Sequence, residues 1–212
     1  MLTMRSHFRD RVCIVGLDPG TNTFGIAKLV FSNRTGEIIS TEARTLVGER
    51  LPGRDLWLAE QHGEMYSRVS AISDELVSLL NDVQPDYVAT ESPFFNSLRP
   101  YAYGTLMTTM TFIRQAVTRY SSWCQLHLLP PSCVKLAVQA GSSAKKDAVR
   151  EAVLALPDLK YESSANTLDT LDEHSIDAIA VAYGLYKQIG EERCLFQGSL
   201  RPTKPKSKRG RG

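Results

Sequence analysis

The chain has 212 residues, of which 42% are apolar and 23% charged, and a formal net charge of +2. That length and balance suit one globular domain with a sizeable core, and they exclude a chain too polar to fold. The charge is uneven, because Arg201 to Gly212 holds six of the 25 basic residues and no acid, leaving 19 basic against 23 acidic residues, a net −4, in residues 1–200.

Residues 1–11 read as a loose polar leader with no apolar run of the kind a signal peptide carries. Val12 to Leu17 (VCIVGL) is a short apolar run, the pattern of a fully buried strand, and it stops at Asp18, Pro19 and Gly20. Thr23 to Phe31 is a second strand. Asn33 to Gly36 is a polar turn, and Glu37 to Val47 is a third strand, so the chain opens as a β-meander. After a loop at Gly48 to Gly53, Leu56 to Leu80 has helical spacing, with Met65, Val69, Ile72 and Leu76 on one face. Tyr87 to Thr90 is a fourth strand ending at Glu91, and Ser92 to Pro100 is a proline-flanked loop. Tyr101 to Tyr120 is a helix, and Leu126 to Leu129 is a fifth strand stopped by Pro130 and Pro131. Helices are expected at Ser132 to Ala140, Ala144 to Leu156 and Leu171 to Ile189, with a loop from Pro157 to Thr170.

This order predicts an α/β fold, a five-stranded mixed sheet flanked by helices. The expected division is a leader at 1–11, one domain at 12–190, and a flexible basic tail at 191–212 that is too polar to pack. An acidic body with a basic tail is an asymmetry found in nucleic-acid binders. Cys13, Cys124, Cys133 and Cys194 show no CxxC or zinc spacing, and they read as incidental thiols of a reducing compartment. No stretch reaches the ~18 apolar residues of a membrane span, so a soluble, cytoplasmic protein is expected.

Asp18 and Glu91 each end a strand, and His174 and Asp177 lie three apart on the last helix, where residues share a face. Strand ends are where α/β sheets build sites. Taken singly, each has a plainer reading. Asp18 before Pro-Gly is also a strand-terminating turn, Glu91 a surface or capping acid, and His174 a polar face residue. Asp177, inside the apolar run IDAIAVAYG, is a lone acid on a packing face and needs a partner. Together they offer hard oxygen donors and one imidazole. That set suits two Mg²⁺ ions about 4 Å apart at a phosphodiester, with Mn²⁺ an acceptable substitute. His174 would act either as ligand or as the base that activates water.

VGLDPGTNTFGIA, ESPFF, GSSAKKDAV and HSIDAIAVA, in this order, resemble the motifs of the RuvC Holliday-junction resolvases over roughly residues 12–188. The resemblance implies an RNase H-like fold with Asp18, Glu91, His174 and Asp177 as metal ligands. It also implies DNA contacts from Phe94, Lys135 and Lys146, to which the charge of the neighbouring Lys145 adds, and a homodimer that nicks a four-way DNA junction symmetrically. An aromatic such as Phe94 beside the cut stacks on an unpaired base, whereas Phe95 is left to packing, and the lysines neutralise phosphates. The stretch Gly48 to Gln61, with Trp57, and the basic tail depart from the family pattern, which suggests a divergent, phage-type member.

Three alternatives stand beside it. DPGT also resembles the phosphate turn of actin- and sugar-kinase-like ATPases, but no second Asp-x-Gly turn follows and the chain is short. The YqgF-like RNA-processing nucleases open similarly but lack a Glu at the position of Glu91. A junction-binding protein without catalysis is the third.

Overall fold

The computed structural model describes residues 10–51, 55–93 and 100–198, with the side chains of Pro100, Lys146 and residues 193–198 left aside. Strands β1 (Arg11–Asp18), β2 (Thr23–Ser32) and β3 (Ile38–Val47) form the antiparallel meander. Strands β4 (Tyr87–Glu91) and β5 (Leu126–Leu129) add parallel strands beside β1, giving the order β3-β2-β1-β4-β5. The mixed five-stranded sheet expected from the sequence is the one observed. Both faces of β1 are covered. Val12 and Ile14 pack with α6 (Glu173–Gly198), while Val15 and Leu17 pack with α2 (Glu64–Val83) and α3 (Pro100–Tyr120). A strand buried on both sides has no polar face to alternate with, which is why VCIVGL is continuously apolar.

Helix α6 is the centre of its layer. It packs on β1, β2 and β3, with α4 (Pro131–Ala137) and α5 (Lys146–Leu154) against it. Residues Ala178 to Tyr183 are all buried, the signature of a helix enclosed on every side. A side chain at Gly16 would collide with the backbone of Ala178 and Ala182, so α6 lies directly on β1 there. Its later turns are tied to the meander by Tyr186, whose hydroxyl donates to the Gly36 carbonyl at 2.8 Å, and to the loop after α5 by Tyr183, which donates to Asp158 at 2.9 Å.

Several boundaries differ from the sequence reading. The helix expected over Leu56 to Leu80 is two helices, α1 (Leu56–His62) and α2, because Gly63 adopts a φ of 91° between them. Helix α4 stops at Ala137, with Gln139 left-handed at φ 65°. Helix α5 starts at Lys146 rather than Ala144. The Pro157–Thr170 segment is not a free loop. Thr41 donates its N–H to the Lys160 carbonyl at 2.6 Å and accepts from Glu162 at 2.9 Å, so Tyr161 bridges to the outer edge of β3. Helix α6 runs on past Ile189 to Gly198, so residues 191–198, assigned to the tail from sequence, are helical. The leader residues 1–9 and the tail from 199 lie outside the described residues. Among the described residues no helix is long and apolar enough to cross a membrane.

Candidate active site

The site is built at the carboxyl ends of β1 and β4. Leu17 pairs with Thr90 across these parallel strands, so Asp18 and Glu91, one residue on, end them side by side. Side chains alternate along a strand, and Gly16 and Ala89 face α6. Asp18 and Glu91 therefore belong to the α6 face, and both are partly buried.

The first turn of α6 is seated on this face by a set of short contacts. Asp172, just before the helix, accepts the Ser175 N–H at 2.8 Å, the bond that satisfies an otherwise orphan donor at a helix start. The same carboxylate accepts the Thr45 hydroxyl of β3 at 2.6 Å, and Thr45 lies 3.0 Å from the Ser175 hydroxyl. Burial works to raise the Asp172 carboxyl, but the hydrogen bonds from Thr45 and Ser175 outweigh it and hold the group below its ordinary value. On β2, a Cβ at Gly25 would overlap the His174 carbonyl and touch the Asp18 side chain. Only a glycine lets the helix start come this close to the strand.

So placed, His174 directs Nδ1 to Asp18 Oδ2 at 2.7 Å and Nε2 to the Thr23 hydroxyl at 2.7 Å. Asp18 and His174 are only 22% and 24% exposed. Glu173 Oε1 lies 3.7 Å from Nε2, beyond hydrogen-bond distance. Asp177 follows three residues later, on the helix face of His174.

Of the four predicted ligands, then, the structure brings Asp18 and His174 into direct contact, puts Glu91 beside Asp18, and puts Asp177 one turn along from His174. Among the described residues no three His, Cys, Asp or Glu side chains are gathered tightly enough to enclose an ion. Asp18 instead meets the imidazole of His174. The chemistry of the donor set, three carboxylates and one imidazole on elements that converge at one end of the sheet, fits Mg²⁺ or Mn²⁺.

The sequence-predicted DNA contacts divide. Lys135 of α4 turns back on the chain, donating to the Ala144 carbonyl at 2.8 Å and bracing the turn that leads into α5. Lys145 is exposed at the start of α5, where no side chain caps the helix. Helix α4 leaves the end of β5, which is tied to the end of β4 by the Ser92 N–H donating to the Leu129 carbonyl at 2.7 Å. These lysines are therefore carried by the end of the sheet that holds Asp18. Phe94, Phe95 and the side chain of Lys146 lie outside the described residues. Sequence reasoning missed Thr23, Gly25 and the Asp172–Thr45 pair. The one available signal was the acid just before a helix, a capping pattern.

No protein-family model matches the sequence. Among solved structures, RuvC from Thermus thermophilus is similar at a TM-score of 0.56 and 21% identity, over 84% of this chain and 97% of that one. The same protein in complex with a Holliday junction substrate gives 0.54 and 20%, over 84% and 97%. The yeast mitochondrial Holliday junction resolvase Ydc2 gives 0.61 and 13%, over 91% of this chain and 86% of that one. The chain thus has the RNase H-like fold expected from its motifs, the fold of the RuvC resolvases.

Proposed function

We propose that this chain is a divalent-metal-dependent endonuclease that nicks branched DNA, with the four-way junction as its principal substrate. The observation that carries the reading is the convergence at one end of the sheet. Asp18 and Glu91 end adjacent parallel strands, and the first turn of α6 lays His174 against Asp18 at 2.7 Å. Asp18, Glu91, Asp177 and His174 would hold the metal, which when bound neutralises the phosphate and lowers the pKa of an attacking water. The rest belongs to the chain. The carboxylates, fixed by strand ends and one helix turn, set where the scissile phosphate lies. His174, gripped on both ring nitrogens, presents a fixed imidazole edge to that place. Lys145 offers positive charge to the flanking phosphates. The junction as substrate is supported by the RuvC-like motifs and by a fold shared with a resolvase solved on a Holliday junction. A homodimer, matching the twofold symmetry of such a junction, belongs to the same proposal.

The test is incubation of the purified protein with a labelled synthetic four-way junction and a matched linear duplex, each in Mg²⁺ and in EDTA. Paired nicks on the junction that disappear in EDTA are expected. Tight junction binding without cleavage in Mg²⁺ or Mn²⁺ would move the chain to the non-catalytic alternative.

A further inference from the structure

We infer that Thr23 is the positioning residue for His174, fixing which ring nitrogen faces the metal. The inference rests on the nuclease reading above. The Thr23 hydroxyl lies 2.7 Å from Nε2 and Asp18 Oδ2 lies 2.7 Å from Nδ1, so the two neighbours hold the imidazole by opposite edges. Glu173 stands farther off, with Oε1 3.7 Å from Nε2, and is 57% exposed. Thr23 is itself held in place. It begins β2 opposite Val47 of β3, and its β-branched side chain has few rotamers. The backbone of His174 comes so close to Gly25 that a Cβ there would overlap its carbonyl, which seats the residue carrying the ring directly on β2.

This arrangement has a chemical consequence. Nδ1 is the nitrogen on the side of Asp18, so Nδ1 is the atom available to share a cation with that carboxylate. Nε2 then carries the ring proton and donates it to Thr23. When Nδ1 instead donates to Asp18, neutral imidazole needs a donor at Nε2, and the same hydroxyl supplies one. A hydroxyl can accept or donate, so Thr23 holds the ring in one orientation in either tautomer, with Nδ1 toward Asp18 and Nε2 toward Thr23; without the hydroxyl the ring can flip and offer Nε2 to the cation instead. A metal-bound histidine generally needs such a partner on its other nitrogen, and loss of one costs roughly 10–100-fold in metal affinity or activity. Valine has the shape of threonine without the hydroxyl, and serine keeps the hydroxyl with a looser rotamer.

The experiment compares wild type, Thr23→Val and Thr23→Ser by two readouts besides cleavage. Nitrogen-15 NMR of the histidine rings, with His174 assigned through His174→Gln, reports the tautomer before and after Mg²⁺. Electron paramagnetic resonance titration reports Mn²⁺ affinity. In wild type, His174 should carry its proton on Nε2 once Mg²⁺ is added. Thr23→Val should show a mixed tautomer, about tenfold weaker Mn²⁺ binding and a matching rise in the Mg²⁺ concentration needed for nicking, with the KM for junction DNA unchanged. Thr23→Ser should recover most of the affinity. A Thr23→Val protein with the wild-type tautomer and wild-type Mn²⁺ affinity overturns the inference. If wild type nicks nothing while Thr23→Val still frees the ring, the nuclease reading falls and the positioning role stands.

Discussion

At the scale of single residues, Asp18 is the most exposed to test. It ends β1, contacts His174 and neighbours Glu91, so on the proposed function replacing one carboxylate oxygen by an amide would weaken metal binding without touching the lysines proposed to meet phosphate. Asp18→Asn should reduce nicking by at least about 100-fold, the upper end of what loss of a mere outer partner costs. It should still shift a junction in a gel, and cutting in Mg²⁺ within about tenfold of the wild-type rate would contradict the assignment. The cysteines give a second prediction. Burial pushes the Cys13 thiol from 9.0 up to about 12 and the Cys124 thiol up to about 11, whereas Cys133 is exposed on α4. At pH 8 the reactive thiolate of Cys13 is then only about one part in ten thousand. Iodoacetamide followed by peptide mass mapping should label Cys133 and spare Cys13 and Cys124 until the chain unfolds. The same shift has a stability consequence. A folded-state pKa above the unfolded one favours the fold below about 9, and that contribution is lost as pH rises from about 9 toward about 12. The melting temperature should therefore fall across that range, and fall less steeply in Cys13→Ala.

At the scale of elements, what decides the site is how α6 begins. Its first turn carries His174, and the turn is fixed by Asp172, which satisfies a backbone donor of the helix and a hydroxyl of β3 at once. Asp172→Ala should cost ~1 kcal/mol of stability in urea unfolding, within the usual range for a lost cap, and should lower nicking because His174 loses its seat. Asp172→Asn, which still caps, should keep most of both; an alanine variant as stable as wild type would refute the capping role. This start was partly legible in the sequence, since an acid before a helical run is a known signal, although the reading began the helix at Leu171 and not at Glu173. The break at Gly63 was not legible. A lone glycine in a helical pattern is tolerated as often as it interrupts, and only the φ of 91° reveals which occurred. Nor was the run of α6 past Ile189, because GEERCLFQG has no clear apolar period to mark it.

At the scale of the whole molecule, the sheet was legible because each strand is an apolar run closed by turn formers, and because a meander followed by alternating helices admits few mixed sheets. The acidic constellation was legible for a related reason: Asp18 and Glu91 are polar residues at the ends of those runs. Thr23 was not. At the start of a strand a threonine reads as a β-former, and its partner lies 151 positions away on α6, visible only once the fold joins them. The charge distribution leads to the last prediction. Residues 1–200 carry a net −4, so long-range attraction to DNA must come from local basic groups or from the six Lys and Arg of residues 201–212. Each phosphate contact releases counterions, and the affinity then falls with salt by a slope of about 0.9 per contact. Changing all six to Gln in the full chain should flatten the slope of log affinity against log salt by up to about five. The nicking rate at saturating junction should stay as it was, because none of the six is among the residues proposed to hold the metal, Asp18, Glu91, His174 and Asp177. Fluorescence anisotropy across a salt series reads the slope directly. An unchanged slope would mean that the tail takes no part in binding and that the acidic body captures DNA through its own lysines alone.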